Sequence, residues 1–205
     1  MRSEGLFKRK NKGFSLVELS IVLIVIATLI FGVVSAKSLI INSKLVDLAS
    51  TVKKINIAQT SFTNTYKQMP GDAIIESFGE DFKGNADGYV GDGNPLNDES
   101  VLFFTHLYKA DLLDEVYEKN KAPDSLSEIT KEYYPETRFK GVFIAVVGSD
   151  FKGLYTRANR LLFFSKYEDK NNFTPQIAEK YNKKFDDGAT SGGKIISINA
   201  NTVVE

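Results

Sequence analysis

The most apolar part of the chain lies near its beginning, where no charged residue occurs from Leu19 to Ala36. A helix of these 18 residues would be about 27 Å long, close to the roughly 30 Å hydrocarbon core of a bilayer. Five basic residues precede the run: Arg2, Lys8, Arg9, Lys10 and Lys12. This charge pattern predicts one membrane-spanning helix, with its N-terminus in the cytoplasm and most of the chain outside.

The helical pattern continues beyond the apolar run, since no proline occurs between Met1 and Met69. Apolar residues then recur at steps of three, four and seven, which is typical of one buried stripe on a helix. The stripe consists of Ile41, Leu45, Leu48, Val52, Ile55, Phe62 and Tyr66. We therefore predict one long helix from Phe14 to about Tyr66, ended by Pro70-Gly71.

Shorter elements are predicted in the remainder of the chain. A second helix is expected from Glu99 to Leu113 with Asp98 as its N-cap, and a short helix over residues 174–184. Strand-like runs cover residues 139–147, 160–167 and 194–200. Parallel pairing would need a crossover between each pair of strands, so an antiparallel sheet is the simplest arrangement. The expected fold class is α+β, with the long helix packed on a small antiparallel sheet.

The composition of the chain argues against several classes of function. The formal net charge is zero, so no basic surface indicates nucleic-acid binding. The absence of cysteine excludes disulfides, thiolate metal sites and cysteine nucleophiles. His106 is the single histidine, and we expect it to serve helix packing or a hydrogen bond. No residue constellation supports an enzyme, so none is predicted.

A loop rich in glycine and oxygen-bearing side chains follows the long helix. Calcium binds six to eight oxygen ligands in flexible geometry, which makes Asp87, Asp92 and Asn94 candidate ligands. The spacing is not that of an EF-hand, and the same residues favour turns without any ion. We therefore expect turns and no cofactor, with calcium as the alternative.

The first forty residues resemble the N-termini of type IV pilins and type II secretion pseudopilins. The shared features are a basic leader, Gly13, Phe14 and the run SLVELSIVLIVIATLI with its lone Glu18. The resemblance implies cleavage between Gly13 and Phe14 by prepilin peptidase, and N-methylation of Phe14. It implies a leader at residues 1–13, a membrane-spanning and filament-core half at residues 14–36, and an outer head at residues 37–205.

Glu18 is the unusual residue of the apolar stretch. An unpaired carboxylate in the membrane costs about 2.5–3.5 kcal/mol on insertion scales. In the pilins and pseudopilins that this segment resembles, cleavage frees an amine that pairs with this acid and sets the register between subunits. Here that amine would be on Phe14. Phe14 lies four residues from Glu18, one turn of the predicted helix. The alternatives are a solvated Glu18 at headgroup level, or a secretory signal cleaved after Val34-Ser35-Ala36.

Later segments resemble a narrower group of minor pilins and pseudopilins. They are YKQMPGD, GNADGYVGDGN with the helix that follows, and TPQIAEKYNKKFDDGATSGGKI. Ala110-Asp111-Leu112 departs from the Ala-Gly-Leu common in that group. The implied partners are prepilin peptidase, other pilin or pseudopilin subunits and an inner-membrane assembly platform. The protein would span the inner membrane once, with its head in the periplasm or outside, before joining a pilus or pseudopilus. The alternative is a monomeric single-span protein whose head binds a secreted substrate or DNA.

Overall fold

A computed structural model describes residues 13–92, 94–148, 159–165 and 173–188. Within these residues the chain forms three α-helices and two β-strands: α1 (Leu16–Tyr66), α2 (Asp98–Lys109), β1 (Val142–Val147), β2 (Arg160–Ser165) and α3 (Pro175–Phe185). Short 3-10 turns lie at Glu76–Phe78, Glu80–Phe82 and Leu126–Glu128. The chain divides into two compact units, residues 1–43 and residues 44–205. The predicted α+β class, with a long N-terminal helix and a small antiparallel sheet, is confirmed.

Helix α1 has 51 residues and buries a stripe in its second half. The buried residues are Leu45, Leu48, Ile55, Ala58 and Phe62, which follow the predicted periodicity, with Ala58 in addition. The helix ends before Pro70 is reached, because Lys67 adopts a left-handed φ of 59°. A left-handed residue just beyond the last turn is a common way to end a helix.

Helix α2 starts one residue earlier and ends four residues earlier than the sequence predicted. Asn97 is its N-cap and accepts a hydrogen bond from the Glu99 N–H at 2.9 Å, so the prediction of Asp98 as the cap was wrong. The Asp98 carboxylate instead accepts from the Ala122 N–H at 2.7 Å. Asp111 takes a left-handed φ of 56°, which stops the helix before Leu113.

The sheet is a two-stranded antiparallel pair within the described residues. Its register runs from Val142 opposite Ser165 to Val147 opposite Arg160. Strand β1 is buried along its whole length. It begins at Val142 rather than residue 139, because a turn bonds the Val142 N–H to the Phe139 carbonyl and Gly141 has a φ of 75°. The predicted strand at residues 194–200 lies outside the described residues.

Aromatic side chains join the elements of residues 44–205. Phe62 of α1 stacks on His106 of α2, with ring centroids 5.9 Å apart. Phe104 contacts the rings of Tyr117 and Tyr134. The segment before β1 meets α1 through an ion pair of 3.2 Å between Arg138 Nε and Asp47 Oδ1. Helix α2 therefore contacts both the stripe of α1 and strand β1, and its buried residues contribute much of the core.

Candidate processing and assembly site

The beginning of α1 is fixed by a reciprocal cap between Ser15 and Glu18. Residues 13–15 are not helical, and the Ser15 carbonyl accepts the first helical hydrogen bond, from the Leu19 N–H at 3.1 Å. Ser15 Oγ accepts from the Val17 N–H at 3.3 Å. Glu18 Oε2 accepts from the Ser15 N–H at 3.3 Å. This is a capping box, which satisfies donors that a helix N-terminus otherwise leaves unpaired.

The cap changes the predicted relation between Phe14 and Glu18. The sequence led us to expect helix from Phe14, which would place the two residues one turn apart. The helix starts at Leu16 instead, because an N-cap residue has non-helical backbone angles. The Gly13–Phe14 peptide bond therefore lies in the non-helical stretch just before the helix. The motif Ser-x-x-Glu before an apolar run carried this signal, and our sequence reasoning missed it.

The residues around the predicted cleavage bond are open. Phe14 is 80% exposed, and Glu18 is also exposed. A Cβ built on Gly13 would contact no described atom within 4 Å. No contact in this part of the structure requires glycine at position 13, so any such requirement would come from a partner that acts on the bond.

The apolar half of α1, within residues 13–43, buries none of its side chains. Every residue from Leu16 to Ile40 is exposed. Among the described residues, α1 is the one helix long and apolar enough to cross a membrane. The hydroxyls of Ser20 and Thr28 donate to the carbonyls of Val17 and Val25, each at 2.8 Å. These polar groups are therefore satisfied inside the helix, as a hydrocarbon environment requires.

Comparison with known proteins bears on this same segment. Residues 8–34 match the prokaryotic N-terminal methylation motif. The chain thus carries a type IV pilin-like prepilin signal, and the matched residues include Gly13, Phe14 and Glu18. No curated protein and no solved structure matches the chain.

The prepilin signal and the long apolar helix fit a single-pass protein anchored in a membrane. The motif also favours a structural subunit over an enzyme. It supports a pilin-like or pseudopilin-like precursor, and the match ends at residue 34.

The three calcium candidates each accept a local backbone N–H. Asp87 Oδ1 accepts from Tyr89 at 2.9 Å, and Asp92 Oδ1 from Asn94 at 3.3 Å. Asn94 Oδ1 accepts from Leu96 at 2.9 Å. These are the bonds expected of turns, the interpretation that the sequence favoured over an ion. Within the described ranges, no three His, Asp or Glu residues are placed to hold a metal. Calcium binding at these residues stays the untested alternative.

Two other carboxylates organise this loop. Asp72 is buried and accepts from the N–H groups of Asp87 and Gly88, at 2.8 and 2.9 Å. Glu99 accepts from the N–H groups of Asn85 and Gly91, at 3.1 and 2.7 Å. Burial raises the pKa of the Glu99 carboxyl, and the negative charges of Asp72 and Asp87 raise it further, against the lowering effect of its two N–H donors.

His106 ties the same loop to α2, as predicted for a packing or hydrogen-bonding histidine. Its ring is fully buried, and Nδ1 accepts from the Gly71 N–H at 3.0 Å. Because a backbone N–H can only donate, the ring proton is on Nε2, which donates to the Phe82 carbonyl at 2.7 Å. Burial is the main cause that lowers the pKa of His106, so the neutral ring is the form that fits.

Proposed function

We propose that this protein is a minor pilin or pseudopilin, a structural subunit of a type IV pilus or type II secretion pseudopilus. The observation that carries the proposal is the methylation motif at residues 8–34, which overlaps the exposed apolar half of α1. An apolar helix surface of this size is stable only in lipid or against other apolar helices. A subunit that moves from membrane to filament meets both requirements in turn.

Processing comes first in this proposal. Residues 1–13 act as a leader, residues 14–36 span the inner membrane, and residues 37–205 lie on the outer side. Prepilin peptidase cleaves the non-helical Gly13–Phe14 bond, and the new amine of Phe14 is methylated. An α-amino group titrates near pH 7.7–8.0, so most of it is charged at neutral pH, and N-methylation preserves that charge.

Assembly then exchanges one partner of Glu18 for another. In the precursor, Glu18 Oε2 is held by the neutral Ser15 N–H at 3.3 Å, a long bond for a carboxylate acceptor. A charged Phe14 amine from a neighbouring subunit is a stronger partner, because two opposite charges add a Coulomb attraction that a neutral N–H lacks, and this attraction grows in a low-dielectric environment. The free energy gained draws the neighbour into register, while the apolar helices pack into the filament core beside the assembly platform.

The experiment is a mass measurement on the full chain from membranes that contain prepilin peptidase. The expected product lacks residues 1–13 and carries one added methyl group on Phe14. Gly13→Val should block this cleavage, since it adds a branched side chain beside the bond. Gly5→Val, within the leader, should leave cleavage unchanged. An intact N-terminus would favour a plain membrane anchor, and a product that begins beyond Ala36 would identify a secretory signal.

A further inference from the structure

Two exposed lysines lie beside a shallow depression on α1 in residues 44–66, away from the buried stripe. Lys53, Asn56, Ile57, Thr60 and Ser61 line a shallow depression there of about 280 Å³. Ile57 is 57% exposed although it is apolar. Lys53 and Lys54 are both exposed, and neither forms a salt bridge with any residue that the structure describes. We call the depression and these two lysines the lysine face.

An acidic segment lies elsewhere in the same unit, over residues 76–92. It contains five acidic residues, Glu76, Glu80, Asp81, Asp87 and Asp92, against the single base Lys83. All five acids are exposed, and Lys83 is already paired with Glu80 at 2.7 Å. Within the described part of the chain, Glu76 and Asp81 form no salt bridge. The excess negative charge of this segment is therefore available to a partner.

The two surfaces lie at different levels along α1. Phe78, inside the acidic segment, contacts the rings of Phe62 and Tyr66 near the end of the helix. Lys53 is nine residues before Phe62, or about 14 Å nearer the start of the helix. A second copy displaced along the helix axis can bring its acidic segment level with the lysine face.

We propose that the lysine face binds the acidic segment of a second copy of this chain. The contact joins two different surfaces, so it is heterologous and propagates into an open helical array unless the rotation closes a ring. Opposite charges on one chain of zero net charge favour this self-association and orient it. The inference rests on the proposed filament function, for which it names the partner and the contact outside the membrane.

The absence of cysteine makes this contact directly measurable. Two full-length single-cysteine variants, Asn56→Cys on the lysine face and Ser77→Cys in the acidic segment, are expressed together with the assembly machinery, and one of them carries a tag. Both replaced residues are exposed and uncharged, so the charges of the two surfaces are kept. A short bis-maleimide reagent should join them into a dimer that contains both variants. Lys131→Cys, at another exposed position, replaces Asn56→Cys in the control and should give at least about tenfold less dimer. Absence of the mixed dimer, or capture of a different polypeptide by Asn56→Cys, would overturn the proposal.

Charge reversal supplies an independent test. One double variant is Lys53→Glu with Lys54→Glu, and the other is Glu76→Lys with Asp81→Lys. Each should reduce the yield of the cross-link between Asn56→Cys and Ser77→Cys. The four changes together should restore it, because the complementarity is then inverted rather than lost. Lys131→Glu should have no effect. Failure of the combined variant to recover would reject electrostatic complementarity as the basis of the contact.

The two proposals fail in distinguishable ways. If filaments contain the chain but the mixed cross-link does not form, the filament function stands and this contact is wrong. If the mixed cross-link forms between chains that still begin at Met1, the contact stands and processing as a pilin is wrong.

Discussion

The two halves of α1 have the same helical backbone and opposite relations to the rest of the molecule. In the first half, Phe31 is 74% exposed among other apolar side chains. In the second half, Phe62 is fully buried against His106 and Phe78. Burial of a large apolar side chain stabilises by about 1.5–3 kcal/mol. The second half obtains this free energy from its own chain, whereas the first half obtains it only from lipid or from other subunits.

The largest effect on filament assembly is expected where the first half begins. Glu18→Val and Glu18→Gln should both insert in the membrane but enter filaments poorly, because neither can form an ion pair with the charged amine of Phe14. The amine is then left as an unpaired charge among apolar helices, which costs about 2.5–3.5 kcal/mol, or on the order of 100-fold in incorporation. The measurement compares the amount of each variant in sheared filaments with the amount left in the membrane.

The glutamine variant separates charge from capping. Glutamine can still reach the Ser15 N–H as the third residue of a capping box, so the start of α1 should be preserved. Ser15→Ala removes the hydroxyl cap and keeps the charge of Glu18, and it should assemble far better than Glu18→Gln. Normal incorporation of Glu18→Gln would show that the charge of Glu18 is not what assembly needs.

A matched pair of phenylalanines tests the comparison itself. Phe62→Ala should lower the free energy of unfolding of the head by about 3–5 kcal/mol, since it opens a cavity against His106 and Phe78. Phe31→Ala should change it by less than about 0.5 kcal/mol. Chemical unfolding of the detergent-solubilised full chain, followed by circular dichroism, gives both values. Equal losses would mean that the two halves of α1 are stabilised in the same way.

Periodic burial explains why so much of the fold could be predicted. The stripe of α1 repeats at helical spacing, so Leu45, Leu48, Ile55 and Phe62 were identified from sequence alone. Strand β1 was found from a run rich in β-branched residues, and strand β2 from a run of leucine and phenylalanine. Element ends were less accurate, because they depend on single residues: Ser15 moves the start of α1, and Asn97 rather than Asp98 caps α2.

The departure at Ala110-Asp111-Leu112 illustrates what pattern reasoning cannot weigh. Asp111 occupies a left-handed position with a φ of 56°, where glycine is otherwise favoured. Glycine is common there in the resembled group, and the sequence analysis noted the difference without assigning it a structural effect. Aspartate tolerates this conformation better than most residues, so α2 can end here without glycine. The long-range bonds of Asp72 and His106 were equally invisible, because they join residues 15 to 35 positions apart.

Two glycines extend the comparison to backbone strain. Gly71 in the head has a φ of 88°, and a Cβ there would lie 2.5 Å from the Glu99 carbonyl oxygen. Gly71→Ala should therefore cost at least about 1–2 kcal/mol from conformation alone. Gly32 in the apolar half has no atom within 4 Å of its Cβ position, so Gly32→Ala should stabilise the helix by up to about 1 kcal/mol. Amide hydrogen exchange of each variant measures both changes, and a loss at Gly32 would reveal a contact missing from the single chain.

The smallest effect on the free energy of unfolding is expected from a change of pH, because such a change leaves every side chain of the head in place. The pKa of His106 is lowered in the fold, chiefly by burial and also by the charge of Lys109, while Asp72 and the Phe82 carbonyl act in the opposite direction. The unfolded chain therefore binds this proton at higher pH than the folded one. The stability that depends on neutral His106 is present above pH 6.5 and is lost as pH falls through the lower folded pKa. Glu99 has a raised pKa, so its contribution to the pH dependence of stability has the opposite sign, and it is the same in wild type and variant.

The variant His106→Phe isolates the contribution of His106. It should keep the stack on Phe62, lose the bonds to Gly71 and Phe82, and abolish the part of the pH dependence that comes from His106. The difference in unfolding free energy between wild type and His106→Phe, followed from about pH 8 to about pH 5, should shrink as the pH falls. A difference that stays constant would mean that protonation of His106 does not release the loop from α2.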